Sequence, residues 1–199
     1  SLMLAALIYI WLRNKKLIPL FIALALLAIP FLPSTIVTRL TTIVTSFLGS
    51  SGHIDSSAQY RFHLWESVGY MIRDYGVNGI GLGPASFASL YPLYATVDGA
   101  VHTQSQYFEL ILETGILGFV SFMWLILRCI KDSVIARRRA DGLVRALLIA
   151  CTAAFVGIAF SCIVEYLWFY PRVLFAYFIL LGITFAAIFM ANPEAEATL

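Results

Sequence analysis

Long apolar runs alternate with short polar segments along the chain. A helix that crosses a membrane needs about 20 mostly apolar residues, and four runs approach or reach that length. Residues 1–12 are a shorter apolar run, which we expect to be a partial span whose start lies upstream, so that 1–199 is the C-terminal part of one polytopic membrane domain. The complete spans are predicted at residues 17–33, 106–130, 146–167 and 173–191.

The segment from residue 34 to residue 105 follows a different pattern. Connections longer than about 12–15 residues without secondary structure are uncommon, so we expect helices within it. Residues 58–75 have helical periodicity, and their apolar side chains share an arc of about 120°. That arc contains Tyr60, Leu64, Val68, Met71, Ile72 and Tyr75. The predicted fold class is all-α: a polytopic transmembrane helical bundle with an extracytoplasmic segment of amphipathic helices.

Composition and charge agree with a membrane protein. Hydrophobic residues make up 61% of the chain and charged residues 12%, whereas soluble domains carry about 25% charged residues. Basic residues cluster within 13–16 and 131–145, beside predicted spans. The positive-inside rule places both clusters in the cytoplasm and residues 34–105 outside, so we expect a lipid bilayer and no nucleic acid as partner. The three cysteines lack the spacing of a disulfide framework or metal site, and we expect no metal or cofactor.

Four polar residues stand at the entrance of the predicted span 106–130. His102, Gln106, Glu109 and Glu113 are spaced i, i+4, i+7 and i+11, which places them on one face if this stretch is helical. Ionisable groups at the edge of a membrane helix indicate function. The alternative is that His102 is a structural hydrogen-bonding residue.

Three arginines are candidate anion-binding residues in the outer part of the chain. Arg61 falls in the middle of the apolar arc of 58–75, where it either meets an anion or extends to water or headgroups. Arg73 lies on the polar side near Glu66, so a surface ion pair is its other interpretation. Arg172 follows a seven-residue turn after Glu165, and those two residues could pair.

The glycine-rich stretch "NGIGLGPASF", residues 78–87, precedes a helix that Pro84 opens. A turn of this kind either presents backbone N–H groups to a phosphate or is only a tight turn at the membrane surface. It is not a dinucleotide fingerprint, because no strand precedes it and its third glycine comes too early.

Taken together, three stretches resemble the O-antigen ligase and polymerase family. They are "YRFHLWESVGYMIRDYGVNGIGLGPASFASLYP", "VHTQSQYFELILETGILGF" and, more loosely, "YPRVLFAYFILLGI". The family pattern has an arginine–tryptophan helix, a glycine turn and a helix entry of the form H-x-H-N-x-Y-L followed by E-x-G-x-x-G. Gln104 and Ser105 stand where that pattern has its second histidine and its asparagine. The matching residues are Arg61, Trp65, Gly79, Gly81, Gly83, His102, Tyr107, Glu113, Gly115 and Gly118.

The resemblance implies a membrane glycosyltransferase of the bacterial inner membrane. Such an enzyme moves a glycan from a polyprenyl-diphosphate donor to a hydroxyl of the lipid-A core or of a growing glycan, without a metal and with inversion at the sugar. It implies a catalytic role for His102 as general base. Substrate-binding roles are expected for Arg61, Arg73, Gln104, Gln106, Glu109 and Arg172.

Two other functions remain open on the sequence alone. A transporter or flippase subunit of a polysaccharide export system would also place ionisable groups inside its spans. A non-catalytic scaffold component is the third possibility.

Overall fold

The computed structural model describes residues 2–28 and 56–192. The end of the predicted span 17–33 and the first part of the predicted outer segment, residues 34–105, therefore lie outside the described residues. Within the described residues all regular structure is helical, which confirms the all-α prediction. The α-helices are α1 (Leu2–Arg13), α2 (Ile18–Ala28), α3 (Ser56–Tyr75), α4 (Pro84–Leu90), α5 (Gln106–Ala136), α6 (Gly142–Ser161) and α7 (Pro171–Met190).

Three of these helices, α5, α6 and α7, are long and apolar enough to cross a membrane. α6 ends at Ser161, six residues before the predicted boundary, because turns and a short 3-10 helix (Leu167–Phe169) occupy the stretch before α7. α5 continues six residues beyond its predicted end, to Ala136. The chain is thus a polytopic helical protein, whereas the orientation of its helices stays a prediction.

The long helices form a bundle in which α5, α6 and α7 pack on one another. Cys129, Phe155 and Tyr177 make the buried centre of their contact. α1 packs on α6, and α2 contacts α1. All three cysteines are free and buried, as is common for cysteines that act as small apolar residues.

α3 docks its predicted apolar arc onto α4 and the start of α5. Leu64, Val68 and Met71 are fully buried against Phe87, and Leu112 of α5 joins the same cluster. Tyr60 and Ile72 lie at its edge. The helical period of residues 58–75 therefore predicted the buried face correctly.

α5 is not a continuous helix. At Gly115 the backbone adopts φ 70° and ψ −179°, a conformation that is essentially restricted to glycine. The break divides α5 into a first half, residues 106–114, and a second half, residues 116–136. The turn that follows α3, residues 76–81, lies against this break.

Backbone hydrogen bonds join that turn to the break. The N–H groups of Ile80 and Gly81 donate to the carbonyl oxygens of Leu112 and Glu113, at 2.6 and 3.2 Å, and Ile116 N–H donates to Gly76 O at 2.8 Å. Backbone groups that lose helical partners inside a membrane protein need new ones. Here the turn supplies them, and residues 76–81 are fixed to α5.

Candidate active site

The loop of residues 102–105 lies between α3 and the beginning of α5 and is held from both sides. Trp65 of α3 donates its indole N–H to the Thr103 carbonyl oxygen at 3.0 Å. On the other side Glu109 accepts the Thr103 N–H at 2.7 Å through Oε2. The loop therefore has a fixed conformation, with Thr103 and Ser105 buried.

His102 belongs to this loop and not to α5. Gln104 has φ 54° and Ser105 is extended, so the chain turns before the helix begins at Gln106. The prediction of one helical stripe is therefore wrong for its first member and applies only to Gln106, Glu109 and Glu113.

The imidazole of His102 is half-buried between aromatic rings. Its ring centre lies 4.9 Å from that of Phe169 and 5.5 Å from that of Tyr166. The backbone N–H of Gln104 donates to Nδ1 at 3.0 Å. Burial lowers the pKa of His102 below its ordinary value, and the nearby Glu165 carboxylate opposes part of this shift.

This geometry fixes the tautomer of His102. In a neutral imidazole one nitrogen accepts and the other carries the proton. Because Nδ1 accepts the Gln104 N–H, the proton lies on Nε2, and this nitrogen is a donor. To act as a general base through Nδ1, His102 would have to give up the hydrogen bond from Gln104. To act through Nε2, it would have to move its proton to Nδ1, which also breaks that bond.

Arg61 joins the same group of residues through Gln104. Its Nε donates to Gln104 Oε1 at 3.0 Å, while its two Nη groups make no hydrogen bond to the residues that the structure describes. The side chain is half-buried. Gln104, which replaces the second histidine of the family pattern, therefore links Arg61 to His102. Its side chain accepts the hydrogen bond from Arg61, and its backbone N–H donates to His102.

Gln106 and Glu109 face the protein interior. Both are 1% exposed, and Gln106 accepts the backbone N–H of Trp168 at 3.1 Å through Oε1. The Nε2 of Gln106 is buried and has no partner among the described residues. The role that the structure shows for these two side chains is to hold neighbouring backbone, and their contact with substrate stays a prediction.

Of the N–H groups that the glycine turn would present to a phosphate, three are engaged by α5. The N–H groups of Ile80 and Gly81 bind α5 carbonyls, and Gly83 N–H donates to Glu113 Oε1 at 2.8 Å. The other interpretation of this stretch, a tight turn, agrees with these contacts. Gly79 has φ 77°, and a Cβ there would come within 2.7 Å of the Glu113 carbonyl oxygen.

Two of the predicted arginines lie apart from this group. Arg73 is exposed and pairs through Nε with Asp74 Oδ1 at 3.1 Å, so the predicted pairing with Glu66 is wrong. It is twelve residues from Arg61 on α3, or about 18 Å along the axis. Arg172 is exposed at the start of α7, and no ion pair with Glu165 forms among the described residues.

The sequence predictions missed the aromatic wall around His102. Tyr166 and Phe169 come from the turn between α6 and α7, more than 60 residues away, and Tyr166 also donates its hydroxyl to Glu113 Oε1 at 3.4 Å. The stretch "EYLWFY", residues 165–170, is dense in aromatic residues. That composition marks the membrane interface but does not indicate which rings meet the histidine.

The arrangement brings a guanidinium and an imidazole N–H donor to the same loop, beside one end of three apolar helices. Two donors of this kind fit the oxygens of a phosphate or diphosphate. Among the residues that the structure describes, no three His, Cys, Asp or Glu side chains cluster in a way that could hold a metal ion.

Comparison with known proteins identifies the family. A family model described as O-antigen ligase matches residues 1–123, which include α3, the glycine turn, the loop of residues 102–105 and the break in α5. No curated protein and no solved structure matches the chain. Since the matched region covers well over half of its residues, the chain belongs to the O-antigen ligase family, whose members are membrane enzymes that ligate glycans in polysaccharide assembly.

Proposed function

We propose that this protein transfers a glycan from a polyprenyl-diphosphate donor to a hydroxyl acceptor, either the lipid-A core or a growing glycan. The acceptor oxygen forms a bond to the sugar C1, and the bond from C1 to the diphosphate oxygen breaks. Displacement from the opposite side inverts the anomeric centre. The hydroxyl proton is released, and the lipid diphosphate takes up a proton as it leaves.

One observation carries the proposal: Arg61 is half-buried and held at Nε by Gln104, and its Nη groups make no hydrogen bond to the described residues. Negative charge develops on the diphosphate as it leaves, and preorganised donors aimed at such charge are the largest common source of rate enhancement. An arginine fork suits two phosphate oxygens. In this proposal Arg61 binds the diphosphate without a metal.

His102 is the catalytic residue of the proposal. Its Nε2–H donates to a diphosphate oxygen, since Nδ1 is engaged by Gln104. The bond from Gln104 also orients the ring, and Tyr166 and Phe169 limit its rotation. The general-base role is the alternative for the same residue, and substitution by glutamine distinguishes the two roles.

The break in α5 is the observation that favours a transporter, because discontinuous membrane helices form the ion and substrate sites of many transporters. Here, however, the carbonyls of Leu112 and Glu113 are bonded to the turn of residues 76–81. Each of them therefore already has a hydrogen-bond partner within the protein, and we favour the transferase.

Arg61→Lys tests the proposal, because lysine keeps the charge and loses the fork. We expect glycan transfer in proteoliposomes to fall about tenfold to hundredfold, with unchanged helicity and thermal stability. Arg73→Lys is the matched control on the same helix, and it should keep the parental rate. Parental transfer by Arg61→Lys would overturn the diphosphate-binding role. Movement of the donor across the vesicle membrane without transfer would favour the flippase.

The sidedness that the proposal requires is also testable. We propose that the protein lies in the bacterial inner membrane with residues 34–105 in the periplasm or outside the cell. Val101→Cys and Leu143→Cys place thiols at positions 57% and 75% exposed, and the native cysteines are buried. An impermeant maleimide added from outside should label the first variant and not the second. The reverse pattern would place His102 on the wrong side for the donor glycan.

A further inference from the structure

A cavity of about 220 Å³ opens at the far end of α5, between α5 and the end of α7. It has several times the roughly 30 Å³ that a water molecule takes in the liquid. Its polar lining residues are Arg128, Asp132, Arg139 and Asn192, and its apolar lining residues include Ile135 and Ile188. Arg128 lies twelve residues beyond Ile116 in the second half of α5, or about 18 Å along that half, so the cavity is separate from the candidate active site.

The polar lining of the cavity carries a positive charge that no carboxylate of the described residues balances. Arg128 donates through Nε to Asp132 Oδ2 at 2.7 Å, and this pair is neutral. Arg139 donates through Nη1 to the neutral Asn192 Oδ1 at 3.1 Å, and among the described residues it forms no salt bridge. A guanidinium has five N–H donors, so both arginines retain donors for a further acceptor.

The surroundings of the cavity add to this positive charge. Residues 128–145 contain six basic and two acidic side chains. Arg137 is partly buried, its Nε has no partner among the described residues, and Arg138 and Arg145 lie close enough to repel it. The ends of α5 and α7 offer partial negative charge, but about half a charge per helix end does not balance this excess.

We propose that the cavity binds the phosphate group of an anionic membrane phospholipid. The two guanidinium groups would bind the phosphate oxygens, and the apolar lining residues would contact the glycerol and the start of the acyl chains. Basic pockets between membrane helices at the cytoplasmic surface suit such headgroups, and the positive-inside rule predicts that surface here. The inference concerns a different end of the molecule from the proposed function and does not depend on it.

Native mass spectrometry of the purified chain, titrated with dioctanoyl phosphatidylglycerol or dioctanoyl phosphatidylcholine, tests the proposal. We expect phosphatidylglycerol to bind at least tenfold more tightly. Arg139→Gln should weaken phosphatidylglycerol binding about tenfold to hundredfold, as expected for loss of hydrogen bonds to a charged group. Arg138→Gln is the matched control: it removes the same charge from the neighbouring, exposed position outside the cavity, and should cost about fivefold or less.

Equal losses in the two variants would show diffuse attraction of anionic lipid to the basic surface and would overturn the site. Inorganic phosphate or glycerol phosphate serves as the second ligand. Binding of either as tightly as phosphatidylglycerol would make free phosphate the ligand and would overturn the lipid assignment. Arg139→Lys keeps the charge and is the second variant if Arg139→Gln fails to fold. It should bind phosphatidylglycerol more weakly than the parent does. Binding as tight as that of the parent would count against a contact of the Arg139 guanidinium with two phosphate oxygens.

Discussion

The two halves of α5 belong to one apolar run but contact different surroundings. The first half, residues 106–114, directs two carboxylates and two backbone carbonyls at neighbouring loops, where Glu109 binds Thr103 and Glu113 binds Gly83. The second half, residues 116–136, exposes large apolar side chains such as Leu117 and Trp124. Its side-chain ion pair, Arg128 with Asp132, lies near its end.

This difference explains why polar residues cluster at the entrance of the span. An irregular backbone segment within a membrane needs hydrogen-bond partners from the protein, since lipid supplies none. The first half of α5 is where the loop of residues 102–105 and the turn of residues 76–81 enter the bundle. Its polar side chains and freed carbonyls are these partners, and they fix the loop that carries His102.

The largest effect is expected from removing the break that separates the two halves. Gly115→Ala introduces a Cβ that would collide with the Val77 carbonyl oxygen, at a backbone conformation that costs other residues about 1–3 kcal/mol. We expect the free energy of unfolding to fall by more than about 2 kcal/mol and glycan transfer to be lost. Thermal unfolding in detergent and the proteoliposome assay measure the two effects.

Gly182→Ala is the control for this prediction. Gly182 lies within α7, and a Cβ there meets nothing within 4 Å. Alanine favours a helix by about 1 kcal/mol over glycine, so this variant should be as stable as the parent or more stable. If Gly115→Ala behaves in the same way, the break is not what fixes the turn.

The sequence predicted the parts of this structure that depend on periodic patterns. The apolar arc of residues 58–75 indicated which face of α3 is buried, and the apolar runs indicated α5, α6 and α7. Gln106, Glu109 and Glu113 were placed on one face correctly. These features follow from local spacing, which a single sequence displays.

The remaining features depend on contacts between distant segments. The break at Gly115 was not predicted, because a glycine inside an apolar run also fits an unbroken helix and only the turn of residues 76–81 decides otherwise. The bond between Gln104 and Arg61 spans 43 residues, and the ring contact between His102 and Tyr166 spans 64. No local pattern indicates such pairs, and so the surroundings of His102 were not predictable.

An intermediate effect is expected at His102, which the first half of α5 holds in place through Thr103. His102→Ala should lower transfer about 10²–10³-fold, as for the loss of one donor to developing negative charge. His102→Gln retains an amide N–H donor, and we expect it to remain within about tenfold of the parent. If His102→Gln falls as far as His102→Ala, the residue must accept a proton, and the general-base role is correct.

The pH dependence of transfer adds a second measurement on His102. Burial lowers its pKa below the ordinary value of a histidine, which favours the neutral ring. Protonation places a second N–H opposite the Gln104 N–H and breaks their hydrogen bond, so transfer and loop stability should fall as the pH decreases through this lowered pKa. This loss should lie below pH 6.5 and be absent in His102→Gln. The same acid limb in His102→Gln would assign it to another group.

The smallest effect is expected in the second half of α5, and it tests the comparison most directly. Leu112 is 0% exposed in the first half and Leu117 is 78% exposed in the second, so the same substitution can be made on both sides of the break. Leu112→Ala should lower the free energy of unfolding by about 2–5 kcal/mol, because it leaves a cavity beneath α3. Leu117→Ala removes a side chain that is exposed in the folded protein and stays exposed after unfolding. The free energy of unfolding should therefore change by no more than about 0.5 kcal/mol. Chemical unfolding of both variants in the same detergent gives the comparison. A loss at Leu117 as large as that at Leu112 would mean that the second half also contacts protein, and that its exposed face is covered in the assembled enzyme.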